Sequence, residues 1–142
     1  MRARCHFALV AAGAMALVAL GVPQAGVAAE PGSRAAIDQA AAVNTELALA
    51  YMRKGNLKAA REKIDKALQQ DARTANTQMA AGFVYDKLGD KKKALSHFEQ
   101  AVRLGGKDNP DVVANAAVYF CMNGEPKRGE QYMLQAAASP LN

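Results

Sequence analysis

Few side chains in this sequence could do chemistry, and their spacing does not bring them together. Histidine occurs only at His6 and His97, and cysteine only at Cys5 and Cys121. His97 has Lys93 and Gln100 as helical neighbours and no second ligand type at metal spacing, so it reads as a surface or packing residue. No nucleophile, base and orienting residue form a set, no Gly-rich phosphate loop occurs, and no carboxylate pair is spaced for a pocket. The expectation is a protein that is not an enzyme, with no catalytic residue, no metal and no cofactor. Lys91-Lys92-Lys93 could touch nucleic acid or anionic lipid. Nucleic-acid surfaces interleave basic residues with aromatics for stacking. None interleave here, so the run reads as a solvated face. Arg61-Glu62-Lys63 with Asp65-Lys66 is a mixed-charge helix face supported by the Glu62–Lys66 i,i+4 pair. What remains is recognition through apolar side chains, which depends on the elements that present them.

Those elements are organised around Met79 to Leu104, two amphipathic runs on either side of Gly89-Asp90. Gly82, Tyr85 and Leu88 mark the first run; Ala94, Leu95, Phe98, Ala101 and Val102 mark the second at helical spacing. Neither can bury its apolar stripe alone, and together they predict an antiparallel helix pair. The unit recurs. Ala48, Tyr51, Gly55, Ala60, Ile64 and Ala67 match Gly82, Tyr85, Gly89, Ala94, Phe98 and Ala101 at an offset of 34. Ala117, Phe120, Gly124, Gly129, Met133 and Ala136 match the same series at an offset of 35. The small residues let paired helices approach. Gly55, Gly89 and Gly124 stand where a helix ends in the left-handed conformation. Ser33, Asn56, Thr74, Asp90 and Asn109 are expected as N-caps, and Pro110 and Pro126 suit first helical positions. Helices are predicted at 35–54, 57–70, 75–88, 91–104, 110–122 and 126–138, with no strand. Gly129, in the interior of the last helix, is expected to weaken it by about 1 kcal/mol.

Period, residue order and break position resemble the tetratricopeptide repeat from about Ala41 onward. The resemblance implies an all-α fold, a right-handed superhelix of three helix-turn-helix repeats at 41–74, 75–108 and 110–142, after a linker and the start of the first helix at 30–40. It also implies a concave surface lined by the first helices, with repeat positions five, nine and twelve facing it. Here these are Thr45, Leu49 and Met52; Met79, Phe83 and Asp86; and Ala114, Val118 and Cys121. The Lys, Arg and Asn of carboxylate-clamping repeats are missing. A mainly apolar groove suits an apolar peptide or an amphipathic helix of a partner protein, and Met52 and Met79 can adapt to it. The alternative occupant is a further segment of the protein itself. No polar capping helix closes the array at Ser139-Pro140-Leu141-Asn142, so a truncated array or a covered last pair is expected.

The first 29 residues have a different composition. Arg2 and Arg4 precede an apolar run from Phe7 to Val22, which ends in Gly26-Val27-Ala28-Ala29 with no acidic residue. This layout predicts an export signal cleaved after Ala29, and hence a periplasmic location. A retained anchor is the alternative, but the run is short and interrupted by Gly13 and Gly21. Removal of 29 residues from 142 leaves 113, with 16 basic and 13 acidic residues, a net charge of +3. That is too mild to imply nucleic acid. Cys121 is then the only cysteine, either inert or lacking a partner within this chain.

The runs Ala50 to Asp71, Gly82 to Ala94 and Val118 to Leu141 look like the type IV pilus biogenesis and stability family, whose members are called pilotins. That resemblance implies a protein partner, either a secretin or another pilus-assembly subunit, and association with the outer membrane. Members of the family are usually lipoproteins with more repeats. Here Cys5 precedes the apolar run, which does not support lipid attachment. The alternatives are a general periplasmic scaffold for cell-envelope proteins and a remnant of a longer repeat protein.

Overall fold

The computed structural model describes residues 30–105 and 109–138. The expected export segment at 1–29 and the end at 139–142 lie outside the described residues. Six helices follow one another: α1 Arg34–Arg53, α2 Leu57–Gln70, α3 Ala75–Lys87, α4 Lys91–Gly105, α5 Pro110–Met122 and α6 Pro126–Ala137. No strand occurs among the described residues. α1 packs on α2, α3 on α4 and α5 on α6; each pair then touches only the pair beside it, with α1–α3 and α3–α5 contacts along one side. This is the predicted all-α stack of three hairpins.

The ends of the helices follow from local chemistry. Ser33 Oγ accepts the Ala36 N–H at 3.2 Å, Asn56 Oδ1 the Ala59 N–H at 3.1 Å, and Asp90 Oδ1 the Lys93 N–H at 3.1 Å. Asn109 does the same for Val112 at 3.3 Å, with Pro110 at the first position, where the missing N–H costs nothing. Thr74 departs from expectation. Its hydroxyl makes no cap bond and donates to Asp71 at 2.8 Å, while Asp71 also accepts the Arg73 N–H at 3.0 Å. A carboxylate is the stronger acceptor, and it draws the hydroxyl out of the capping position. Gly55 and Gly89 hold φ of 76° and 81°, so the turns between paired helices need residues without a Cβ.

The core runs along the seam of each hairpin and between hairpins. Ala48, Ala60, Ala94 and Ala117 are fully buried where paired helices cross. Ile64, Phe98 and Phe120 fill the spaces alongside and are also fully buried. Aromatic rings pack within and between hairpins: Phe83 meets Phe98 edge-on at 5.1 Å in the second and Phe120 meets Tyr132 at 5.3 Å in the third, while Phe98 meets Tyr119 at 4.1 Å across the boundary. Such pairs add about 0.5–1.5 kcal/mol each beyond the area they bury. Gly129 is not merely a weak helix former. A Cβ there would stand 2.7 Å from the Ala117 carbonyl oxygen and 2.9 Å from the Cys121 nitrogen, and would overlap the Cys121 thiol. The glycine is what lets α6 lie directly on the backbone of α5.

Polar bonds tie the hairpins to one another. Thr45 and Thr77 hydroxyls meet at 3.1 Å between α1 and α3. The Tyr85 hydroxyl donates to Asp65 across the first boundary. Across the second, Tyr119 donates to Asp86 at 2.8 Å, and Arg128 pairs with Glu99.

Candidate functional site

α1 and α3 lie side by side, so residues one helical turn apart on each face a common side. Between them opens a cavity of about 190 Å³. Thr45, Glu46 and Leu49 of α1 form one wall; Asn76, Met79, Ala80 and Phe83 of α3 form the other. Four of the sequence-predicted groove residues, Thr45, Leu49, Met79 and Phe83, are therefore brought together. Met52 packs half-buried against the core beside them. Asp86, Ala114, Val118 and Cys121 do not line this cavity. Val118 and Cys121 are exposed, and Ala114 is half-buried.

Several of these residues are already engaged. The Thr45 hydroxyl donates to the Ala41 carbonyl at 2.8 Å and meets the Thr77 hydroxyl at 3.1 Å. Phe83 is half-buried, with its ring edge-on to Phe98. Asp86 joins two hairpins by accepting from Lys91 at 2.7 Å and from Tyr119 at 2.8 Å. Burial of Asp86 opposes its charge, but the hydrogen bonds from Lys91 and Tyr119 and the lysine's charge hold the carboxyl below its usual range. Burial, followed by the bond to Asp86, pushes the Tyr119 phenol well above its ordinary value. Sequence reasoning missed Glu46, Asn76 and Ala80 on the cavity wall. Asn76 stands three positions before Met79, on the same face of α3, while Glu46 and Ala80 follow Thr45 and Met79 by one position, about 100° round the helix at the flank of that face.

His97 sits across the same hairpin. It is half-buried, with Nδ1 2.7 Å from Gln78 Oε1 and its ring stacked on Tyr85 at 5.3 Å. Burial keeps its imidazole below the ordinary histidine value, with Lys93 adding to the effect and Asp65 and Asp90 opposing it. Burial and the bond to Asp65 push Tyr85 up to about 12. Among the described residues no group of three His, Cys, Asp or Glu side chains is placed to hold a metal ion. Nor is any described helix long and apolar enough to cross a membrane. The arrangement presents an apolar cleft with a carboxylate and an amide on its edge, suited to holding a segment of another molecule.

Residues 39–105 match the tetratricopeptide repeat family. An uncharacterized protein of Haemophilus influenzae is 32% identical over 101 residues, which cover 71% of this chain and 56% of that protein. The structure reported as "Functional Characterization of Pseudomonas Aeruginosa pilF" superposes with a TM-score of 0.65 at 24% identity, over 72% of this chain and 46% of the other. The structure of MamA superposes with a TM-score of 0.59 at 17% identity, over 72% of this chain and 60% of the other. Both likenesses speak for the fold. The chain spans about half the length of the relatives it matches.

Proposed function

We propose that this tetratricopeptide-repeat chain is an exported adaptor that holds an apolar segment of a pilus-assembly protein in the cleft between α1 and α3. The repeats themselves make protein–protein interaction the class of function. The cleft carries the reading, because Leu49, Met79 and Phe83 converge on a space of about 190 Å³. The flexible thioether of Met79 can adjust to an occupant. The pilus setting is supported by the resemblance of three sequence runs to pilotins and by the fold shared with PilF. Periplasmic location is supported by the Arg-flanked apolar run and the small residues at 26–29.

Phe83→Glu is a poor first test, since it would also break the ring contact with Phe98. Glu46 and Asn76 are exposed on the edge of the cleft and can change without touching the core. Lysine at both positions places two ammonium groups where an apolar segment must lie. Capture of a pilus-assembly protein from envelope extract, identified by mass spectrometry, should fall by about tenfold or more. Circular dichroism should be unchanged. Undiminished capture would remove the cleft from the reading. Normal surface piliation and twitching in a deletion strain would remove the pilus and leave a scaffold for other envelope proteins.

A further inference from the structure

Charge is unevenly placed in this structure. The three hairpins pack side by side, so their turns at Gly55, Gly89 and Gly124 follow one another along one lateral edge. Within four residues of these glycines stand nine Lys or Arg and three Asp or Glu, a balance of +6. The other described residues hold six and nine, a balance of −3. Lys91, Lys93 and Arg128 are ion-paired with carboxylates. The remaining six, Arg53, Lys54, Lys58, Lys87, Lys92 and Lys127, are exposed and make no ion pair among the described residues. Taken alone, Lys91-Lys92-Lys93 reads as a solvated face; the stack sets it in a row of unpaired cations that crosses all three hairpins.

Helix stability does not account for the row. Lys58, Lys92 and Lys127 are the second residues of α2, α4 and α6. A cation in the first turn faces the positive end of the helix dipole, where a carboxylate is preferred. No acid stands in the first turn of any of these three helices. The lysines are therefore repeated at a place where their own helices gain nothing from them.

We propose that this edge lies on an anionic lipid bilayer, with the three turns at the level of the headgroups. Five of the six unpaired cations are lysines, compact point charges that suit a mobile layer of phosphates better than the fixed fork of arginine. Nucleic acid would need aromatic rings on which to stack, and Tyr85, Tyr119 and Phe120 beside the turns are buried. Met122 ends α5 as Arg53 ends α1 and Lys87 ends α3, and it is 79% exposed. An apolar side chain among cations is what an interfacial surface inserts below the headgroups. Hairpins stack only on their neighbours, so any added at either end would lengthen this edge without covering it. On the membrane the helices would stand on their ends, with the cleft between α1 and α3 opening sideways. None of these residues lines that cleft, so this inference and the adaptor reading stand or fall separately.

The test is co-sedimentation of the full chain with vesicles of phosphatidylcholine, alone or with about 30% phosphatidylglycerol. Binding should favour the anionic vesicles and weaken steeply as salt rises from about 50 mM to about 300 mM. The triple variant Lys58→Gln, Lys92→Gln and Lys127→Gln should bind them about a hundredfold more weakly, at about fivefold per charge. Its helicity should be unchanged by circular dichroism. A charge-matched control away from the edge, Lys66→Gln, Arg73→Gln and Arg103→Gln, should bind like the parent. The chain has no tryptophan, so Met122→Trp reports from the edge alone, and its emission should shift to the blue on anionic vesicles. Equal affinity for both kinds of vesicle overturns the proposal, as does an unshifted emission from bound protein. An equal loss in the two triple variants also overturns it, because net charge alone would then explain the binding. An edge that binds polyglutamate but not the anionic vesicles overturns it in favour of an acidic protein.

Discussion

Gly82→Ala is the sharpest test of the packing. Gly82 lies in α3 where it crosses α4, and a Cβ there would stand 2.8 Å from two carbons of the Phe98 ring and 2.9 Å from a third. Carbon atoms pack best at about 3.5–4.0 Å, so the ring must withdraw by about 0.7 Å or more. It has little room. Phe98 is fully buried, with Phe83 edge-on at 5.1 Å and Tyr119 at 4.1 Å. Overpacking of this kind costs about 1–3 kcal/mol. Alanine regains about 1 kcal/mol of helix propensity over glycine. Because the ring is caged, the cost belongs in the upper part of its range, and the net loss is about 1–2 kcal/mol. Thermal and urea melts followed by circular dichroism would show a midpoint lower by roughly 5–10 °C. Phe98→Leu shortens the side chain that collides, so the double variant should be more stable than the sum of the two single effects by about 1 kcal/mol. A Gly82→Ala protein as stable as its parent, or more so, would refute the reasoning. The glycine would then be no more than a poor helix former.

Gly129→Ala should also destabilise, by about 1 kcal/mol, because the backbone of α5 blocks the methyl group. Cys121→Ala should not rescue it, since the carbonyl at 2.7 Å remains; urea melts of the double variant decide this. Tyr85→Phe removes the hydroxyl that bonds Asp65 between hairpins and should cost about 1 kcal/mol in the same assay. His97 gives a pH signature. Its folded pKa lies below the ordinary 6.5, so the unfolded chain binds the proton more readily. Its contribution is complete above pH 6.5 and is lost as pH falls toward the folded value. His97→Gln should flatten the stability curve in that window. The separate loss at more acid pH should persist, where Asp71, bonded by the Arg73 N–H and Thr74, and Asp86 become protonated.

The helices and their turns were legible because they depend on neighbours in sequence. Asn56 and Asn109 cap, and Gly55 and Gly89 turn, through bonds that span a few residues. The repeat offset carried the core as well, since Ile64 and Phe98 occupy equivalent places. What sequence did not yield depends on how far one hairpin rotates against the next. Thr74 follows Asp71 because a competing acceptor happens to lie within reach. Asp86 reads as a groove residue by position, yet Lys91 and Tyr119 hold it at a hairpin boundary. Cys121 likewise reads as groove-facing, whereas its thiol lies over Gly129 at the crossing of α5 and α6. Of the cleft itself, Thr45, Leu49, Met79 and Phe83 were legible, but its edge was not, because Glu46 and Ala80 lie about 100° round the helix from the expected face and reach the wall only through the way α1 and α3 are set against each other.

Contact only between adjacent hairpins has a mechanical consequence. Among the described residues the first and third hairpins each lean on one neighbour and the middle one on two, and the third meets its neighbour more sparsely than the first does. Local opening should therefore begin with α5 and α6, and their amides should exchange with solvent sooner than those of α3. Every residue lining the cleft belongs to α1 or α3, so the molecule can fray at that end and keep its grip.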